Sequence, residues 1–274
     1  MTAPVKLDVL VVGSGAAGLA AAVSAQRAGA RTGVATKASL QANNSSKAQG
    51  GIQAAVAPDD SPALHAEDVW KSSHETADPQ LVEALTGDAP SAIAWLEELG
   101  VEFNREADGT YRVARCGGAS RQRLLQVGDR TGHAMTKALR EAWVAADGLT
   151  FEDAPLHELT PTASGWRAVC GDSVVDASTV ILAAGGRCYA EALERGELST
   201  NHPNATGEVT KLAIELGAEA RDLDALQYHP NGGAWPATMQ GYSIPETTRA
   251  YGAVLLNAAG EEFTDSLEIG RAHV

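Results

Sequence analysis

The amino-acid sequence predicts an α/β fold of Rossmann-like kind, a parallel sheet covered by helices with a small antiparallel sheet as an insertion. Three observations predict it. Residues 8–22 read DVLVVGSGAAGLAAA, an apolar strand that enters a glycine-rich turn and leaves it as a helix of small residues. Residues 179–186, TVILAAGG, repeat the strand-to-glycine pattern late in the chain. Between them, helical periodicity with cap signals gives way to short β-rich runs.

The first turn, Gly13-Ser14-Gly15-Ala16-Ala17-Gly18, is a GxGxxG. Gly13 permits a tight turn, Gly15 lets the backbone approach a pyrophosphate, and Gly18 lets helix and strand come close. The helix that follows presents free N–H groups and a positive dipole end to phosphates. A lone GxGxxG is weak evidence. This one follows a strand, opens a helix and leads to a second strand at 32–36. The acid that commonly ends that strand, to bind a ribose hydroxyl, is replaced by Thr36-Lys37. The replacement counts against NAD and leaves FAD open, with Thr36 or Lys37 facing the adenosine half.

With 274 residues, 44% of them hydrophobic, the chain is long enough to bury a full core. Its net charge of −14 argues against nucleic acid or an anionic membrane as partner. Cys116, Cys170 and Cys188 are odd in number and far apart, with no CxxC, so neither disulfides nor a metal site is expected, and a reducing compartment is. Residues 7–25 are apolar, but glycines interrupt them at nucleotide-binding spacing and few basic residues precede them. They read as strand plus helix rather than as a signal or membrane span.

Further along, a polar loop at 38–47 precedes Ala48-Gln49-Gly50-Gly51, whose paired glycines suggest close backbone approach to something flat or charged. Ser61 caps a helix with Pro62 at its first position. Pro79 starts a second helix that Gly87 ends, and Pro90 opens a third, with Ile93, Leu96 and Leu99 on one face and Gly100 after it. Asp108-Gly109 marks a turn, and Arg121 and Arg123 alternate on an expected strand. Asp129 or Thr131 is the expected N-cap of a helix carrying Met135, Leu139 and Trp143. Residues 151–177 read as a small antiparallel sheet with a turn at Gly165-Trp166. Thr206 is the expected cap of a helix that Glu208 begins and Gly217 ends; Glu208 either complements the dipole or meets a ribityl or ribose hydroxyl. Gln227-Tyr228-His229-Pro230 follows an expected strand. Glu246 and Arg249, at i, i+3, fit a surface ion pair.

In order, the segments VVGSGAAGLAAA, KAQGGI, GDRTGH, ILAAGG, NATGE, LQYHP and PETTRAYGAVLLNAAGEEF resemble the flavoprotein subunits of succinate dehydrogenase and fumarate reductase, and the related L-aspartate oxidase. The resemblance covers residues 8–264. It implies FAD held by residues 13–18 and by Thr36, Lys37, Ser45, Ser46, Ala48, Gln49, Gly50, Gly51, Ala184, Gly185 and Glu208. The last is usually Asp in the family. It implies a dicarboxylate at Gln227, His229, Glu246 and Arg249, with Pro245 and Asn231 standing where the family has threonines. Covalent members attach FAD through a histidine whose place here is Asn44, so the flavin is expected to be non-covalent.

The resemblance implies hydride transfer between flavin N5 and succinate or fumarate. GDRTGH and Cys116 favour this over L-aspartate oxidase, which tends to carry a glutamate before its double glycine. The implied partner is an iron-sulfur electron-transfer subunit, with no inserted membrane segment in this chain. The implied location is the cytoplasm or the cytoplasmic face of a membrane, as a peripheral protein. Residues 1–230 are expected to be the FAD-binding domain, 231–267 the beginning of a substrate-capping domain, and 268–274, EIGRAHV, a non-native tail of the kind a sequencing adapter encodes. The family's proton-delivering arginine falls beyond the chain, so no catalytic residue is expected within it. A C-terminally truncated, inactive chain is the expectation, with a non-catalytic FAD-binding fragment or a natural short homologue as alternatives.

Overall fold

The structure, a computed structural model, describes residues 3–229, 231–245, 248 and 253–263. In chain order the elements are β1 (Val5–Val12), α1 (Ala16–Arg27), β2 (Thr32–Ala35), α2 (Asn44–Lys47), β3 (Ile52–Gln53), α3 (Pro62–Ser72), α4 (Pro79–Glu98), β4 (Val113–Ala114), β5 (Leu124–Leu125), α5 (Thr131–Ala145), β6 (Leu149–Phe151), β7 (Leu156–Thr162), β8 (Gly165–Cys170), β9 (Ser173–Leu182), α6 (Cys188–Glu194) and α7 (Glu208–Glu215). The chain divides into two units, Met1–Lys47 with Met135–Ser243, and Ala48–Ala134 with Ile244–Val274.

The first unit is built on a six-stranded sheet of order β6-β2-β1-β9-β8-β7. β1 lies between two parallel neighbours, with Val9 opposite Thr32 on one side and Thr179 on the other. Its apolar run needs cover on both faces, which a central parallel strand receives. Leu10 and Val11 are fully buried, and a core cluster joins Leu7, Leu10 and Val12 to Leu156, Ala168, Val175 and Val209. β9 is ten residues long and serves two roles. Its first half pairs antiparallel with β8, and along its length it pairs parallel with β1. The antiparallel hairpin expected at 151–177 is therefore the edge of the main sheet, while β6 joins the parallel side next to β2. Buried Cys170 sits in this core, and burial pushes its thiol pKa up to about 11.

In the second unit β3, β5 and β4 form a small antiparallel sheet. Gly51 lies against it: a Cβ there would stand 2.4 Å from the Leu125 carbonyl oxygen. Within the folded chain, Gly51 thus makes a close approach to β5. Ser61 caps α3 as expected, its hydroxyl accepting the Leu64 N–H. The two helices expected over 79–100 are one, α4, with Gly87 and Pro90 inside it. Pro90 removes the donor that would reach the Thr86 carbonyl. Buried Val82 and Thr86 before it, and Ile93 and Leu96 after it, form a continuous face, and α4 packs on α3, so burial overrides the local breakers.

Arg123 lies just before the two-residue β5 rather than along a longer strand, and it is fully buried. Its guanidinium holds Asp60 through two bonds of 2.8 Å and Asp68 through one of 2.7 Å. The Ser120 N–H and hydroxyl also donate to Asp68. α5 begins at Thr131 itself; the Arg130 carbonyl accepts from Ala134, so Thr131 is the first helical residue and not the cap. Its hydroxyl instead donates to the Gly50 carbonyl and accepts the Val127 N–H.

Candidate functional site

The C-terminal ends of β1, β2 and β9 meet at one edge of the sheet. The ladder continues past the strands: the Gly13 N–H donates to the Ala35 carbonyl and the Ala183 N–H to the Val12 carbonyl, both at 2.8 Å. Ligands of open α/β sheets bind outside such strand ends. A cleft of about 270 Å³ lies there. Of the residues expected to hold FAD, Ser14, Gly15, Ala16, Ala17, Thr36, Lys37, Ser45, Ala184, Gly185 and Glu208 line it.

Gly13 and Gly18 act by packing. At Gly13 φ is +112°, and a Cβ would fall 2.3 Å from the Ala183 carbonyl oxygen. At Gly18 a Cβ would fall 1.9 Å from the Gly13 carbonyl oxygen. Both must be glycine for loop, helix and sheet to close together. Gly15 is the N-cap of α1 and supplies no side-chain cap, so the helix end faces the cleft bare of its own carboxylate or hydroxyl. Ser45 partly fills that role from outside, its hydroxyl accepting the Ala16 N–H at 3.0 Å. Buried Ser14 and Thr36 bond through their hydroxyls at 3.0 Å, tying the loop to the end of β2.

Across the cleft, Lys37 Nζ donates to Glu208 at 2.5 Å and to Thr206 Oγ1 at 2.6 Å. Thr206 also bonds the Glu208 carboxylate rather than capping α7, whose N-cap is Gly207 in the left-handed region at φ 76°. Burial pushes the Glu208 carboxyl up, but the bonds from Lys37 and Thr206 outweigh it and hold the pKa below the usual range. His202, which also lines the cleft, is held below the ordinary imidazole range by burial and by the charges of Lys47 and Lys37. Lys37 thus brings a positive charge to the cleft of a strongly acidic chain and offsets Glu208 there.

Asn43 and Asn44 line the cleft although neither was expected to hold FAD. Asn43 Nδ2 donates to the Ser14 and Leu40 carbonyls while its Oδ1 accepts from the Ser46 N–H and hydroxyl. It caps α2 and braces the glycine loop together; an asparagine three residues before a serine-lysine turn is the signal that announces such a cap. Asn44 Nδ2 donates to Asn201 Oδ1 at 2.9 Å, and its Oδ1 accepts the His202 N–H at 2.6 Å. Ser46 turns from the cleft toward Thr136, the hydroxyls 3.3 Å apart. Ala48, Gln49, Gly50 and Gly51 belong to the second unit.

Gln227 and His229 line a second cleft of the first unit, about 260 Å³, with Ser199, Thr200, Asn201, Tyr228 and Cys188. No strand precedes them: a turn at Asp222, where φ is 55°, interrupts the extended run. His229 Nε2 lies 3.1 Å from the Ser243 hydroxyl, and Nδ1 accepts the Asn231 N–H at 3.4 Å. Glu246 and Arg249 lie outside the described residues. Among the described residues no group of acids, histidines and cysteines is arranged to hold a metal, and no helix is long and apolar enough to cross a membrane.

A helix N-terminus without a cap of its own, a glycine cradle that a Cβ would fill, and Lys37 facing the cleft suit a diphosphate-bearing cofactor. Comparison with known proteins agrees. One of the subunits of the fumarate reductase (CoM/CoB) of Methanothermobacter marburgensis is 32% identical over 267 residues, covering 93% of this chain and 48% of that protein. The L-aspartate oxidase of Streptomyces coelicolor is 35% identical over 271 residues, covering 93% and 46%. Among solved structures, the quinol fumarate reductase FrdA of E. coli superposes with a TM-score of 0.85 at 25% identity, over 95% of this chain and 45% of that one. A flavocytochrome c3 fumarate reductase in its open conformation gives 0.79 at 28% identity, over 95% and 48%. The chain spans about half the length of these relatives. Residues 8–274 match the family described as an FAD binding domain, so the chain belongs to that family and its cofactor is FAD.

Proposed function

We propose that the whole protein is an FAD-dependent oxidoreductase of the succinate dehydrogenase and fumarate reductase type, acting on a C4 dicarboxylate. The observation that carries this reading is the pairing of two clefts in one unit, a glycine-loop cleft and a polar cleft lined by Gln227 and His229. When bound, FAD supplies the centre that gives or takes a hydride as succinate and fumarate interconvert.

The chain's own residues divide the remaining work. The α1 N-terminus and the backbone of residues 13–17 bind the pyrophosphate. Thr36, Lys37 and Glu208 face the adenosine half, and Ser45, Ala184 and Gly185 line the path toward the flavin. Ala48, Gln49, Gly50 and Gly51 join them as the resemblance implies. His229 donates from Nε2 to one substrate carboxylate with help from Gln227; Glu246 and Arg249 complete the substrate site. Fixing a carboxylate out of the plane of the double bond favours hydride transfer. Residues 1–230 form the FAD-binding domain and 231–267 begin the capping domain. The partner is an iron-sulfur electron-transfer protein, as in the family, with the chain in the cytoplasm or peripheral at its membrane face and no nucleic acid bound.

L-Aspartate oxidase is the second reading, because relatives of that name match as well as the fumarate reductase does. Fumarate reduction by a reduced dye and aspartate-dependent peroxide release by the intact holoprotein separate the two. Fumarate turnover with a raised KM in His229→Ala supports the first reading. Aspartate turnover without fumarate or succinate activity supports the second.

A further inference from the structure

We propose that Asn44 is a positioning residue that couples the FAD cleft to the His229 cleft, so that cofactor occupancy sets affinity for the dicarboxylate. The inference rests on the functional reading above. The two clefts share one wall. Thr200 and Asn201 line the His229 cleft, whereas His202 and Asn204 line the glycine-loop cleft.

A single turn, α2, grips that wall from the cofactor side. Asn44 donates to the Asn201 side chain and accepts from the His202 backbone, and Lys47 Nζ donates to the Thr200 carbonyl at 2.9 Å. The same turn is fastened to the phosphate loop: Asn43 donates to the Ser14 carbonyl and Ser45 accepts from Ala16. An unbroken chain of bonds thus runs from the loop that meets the pyrophosphate, through α2, to Asn201 beside His229. The bond from Asn44 to Asn201 is its last link. A carboxamide suits this position because it donates and accepts at once; an alanine does neither, and an aspartate keeps only the acceptor. If a ligand orders one end of such a chain, the other end is ordered with it, and the coupling is reciprocal.

The test is a ratio that cancels any direct effect on FAD binding. Malonate, an unreactive dicarboxylate, is titrated calorimetrically into apoprotein and into FAD-saturated protein. Wild type is expected to bind malonate at least about fivefold more tightly when FAD is present, the lower end of ordinary coupling. Asn44→Ala, Asn44→Asp and Lys47→Met are each expected to bring that ratio to within about twofold of unity. Lys47 lines neither cleft, and because its charge reaches His202 in the FAD cleft its variant is read through the ratio and not through either affinity alone. A wild-type ratio near one with malonate bound, or a ratio unchanged in the variants, overturns the coupling and leaves the functional reading standing. Failure of wild type to bind malonate in either state overturns both.

Discussion

Lys37 Nζ stands 2.5 Å from a carboxylate oxygen of Glu208, so the second residue after β2 and the first residue of α7 close one side of the FAD cleft with an ion pair. The family usually places the shorter aspartate at this position; the glutamate reaches the lysine and the Thr206 hydroxyl together. The pair neutralises a carboxylate that would otherwise face an anionic cofactor.

Removing only the cation is therefore expected to harm binding more than removing both charges. Lys37→Met should weaken FAD binding roughly tenfold, the effect of about 1.4 kcal/mol from a partly screened charge several ångströms away. The double variant Lys37→Met/Glu208→Gln should recover most of that loss. Fluorescence titration of apoprotein with FAD at low and high salt measures both, with the single variant most impaired at low salt. Equal losses in single and double variants would mean that Lys37 binds the cofactor directly and does not shield Glu208.

Gly18→Ala is expected to abolish FAD binding and destabilise the fold. Its methyl would overlap the Gly13 carbonyl, so loop and helix must part, at a typical overpacking cost of about 1–3 kcal/mol or a similar amount in loop strain. Gly87→Ala is a control for the added methyl, since nothing stands within 4 Å of its Cβ and its backbone is helical. Thermal melts and FAD titration of both variants test this. An unchanged Kd for Gly18→Ala would show that the loop does not form the cofactor cradle.

The flavin is expected to be released by acid. The position that carries the attaching histidine in covalent members is Asn44, whose carboxamide is already engaged with Asn201 and His202 and has no nucleophilic ring nitrogen. After acid precipitation of holoprotein the yellow supernatant should contain all the flavin. Fluorescence that migrates with the polypeptide on a denaturing gel contradicts this.

The second unit should lose stability as pH falls below neutrality, through His65. This imidazole is 4% exposed, and its Nδ1 has no hydrogen-bond partner. Burial and the Arg123 charge hold its pKa below the ordinary value, against the opposing pull of Asp60 and Asp68. The folded state therefore binds a proton less readily than the unfolded one. Its contribution is fully present above the unfolded pKa of about 6.5 and is lost as pH falls from there toward the folded value, by at most about 1.4 kcal/mol per pH unit. Asp68 acts in a lower window: burial raises its carboxyl, but Ser120 and Arg123 together bring it below the usual range, so its share is lost only in stronger acid. Thermal melts between about pH 5.5 and 7.5 should slope in wild type and flatten in His65→Gln. Equal slopes in the two would remove His65 from the acid response.

Much of this was legible in residues whose role is local. The strand-loop-helix of 5–27, the Ser61-Pro62 cap and the glycine end of β9 are each fixed by neighbours in sequence, and each stands where the pattern puts it. The failures share one cause, contacts distant in sequence. Gly87 and Pro90 break a helix in isolation, but the face packed on α3 carries α4 through them. The edge hairpin looked separate because alternation reveals a strand but not its partner, and β9 pairs on both sides. Arg123 was placed on a strand with no partner named, because Asp60 and Asp68 lie more than fifty positions away. In the site, the glycine motif located the phosphate loop, whereas the bracing bonds of Asn43 to Ser14 and of Asn44 to Asn201 join residues far apart in sequence and exist only in the folded chain.

The most direct test of a flavin-dependent dicarboxylate site is a set of flavin difference spectra. FAD-loaded protein is titrated with malonate, fumarate and L-aspartate, for wild type and for His229→Ala. A saturable perturbation by malonate and fumarate, weakened about tenfold or more when the imidazole is lost, is the predicted result. Perturbation by L-aspartate alone, or curves for the two simple dicarboxylates that His229→Ala leaves unchanged, would contradict it.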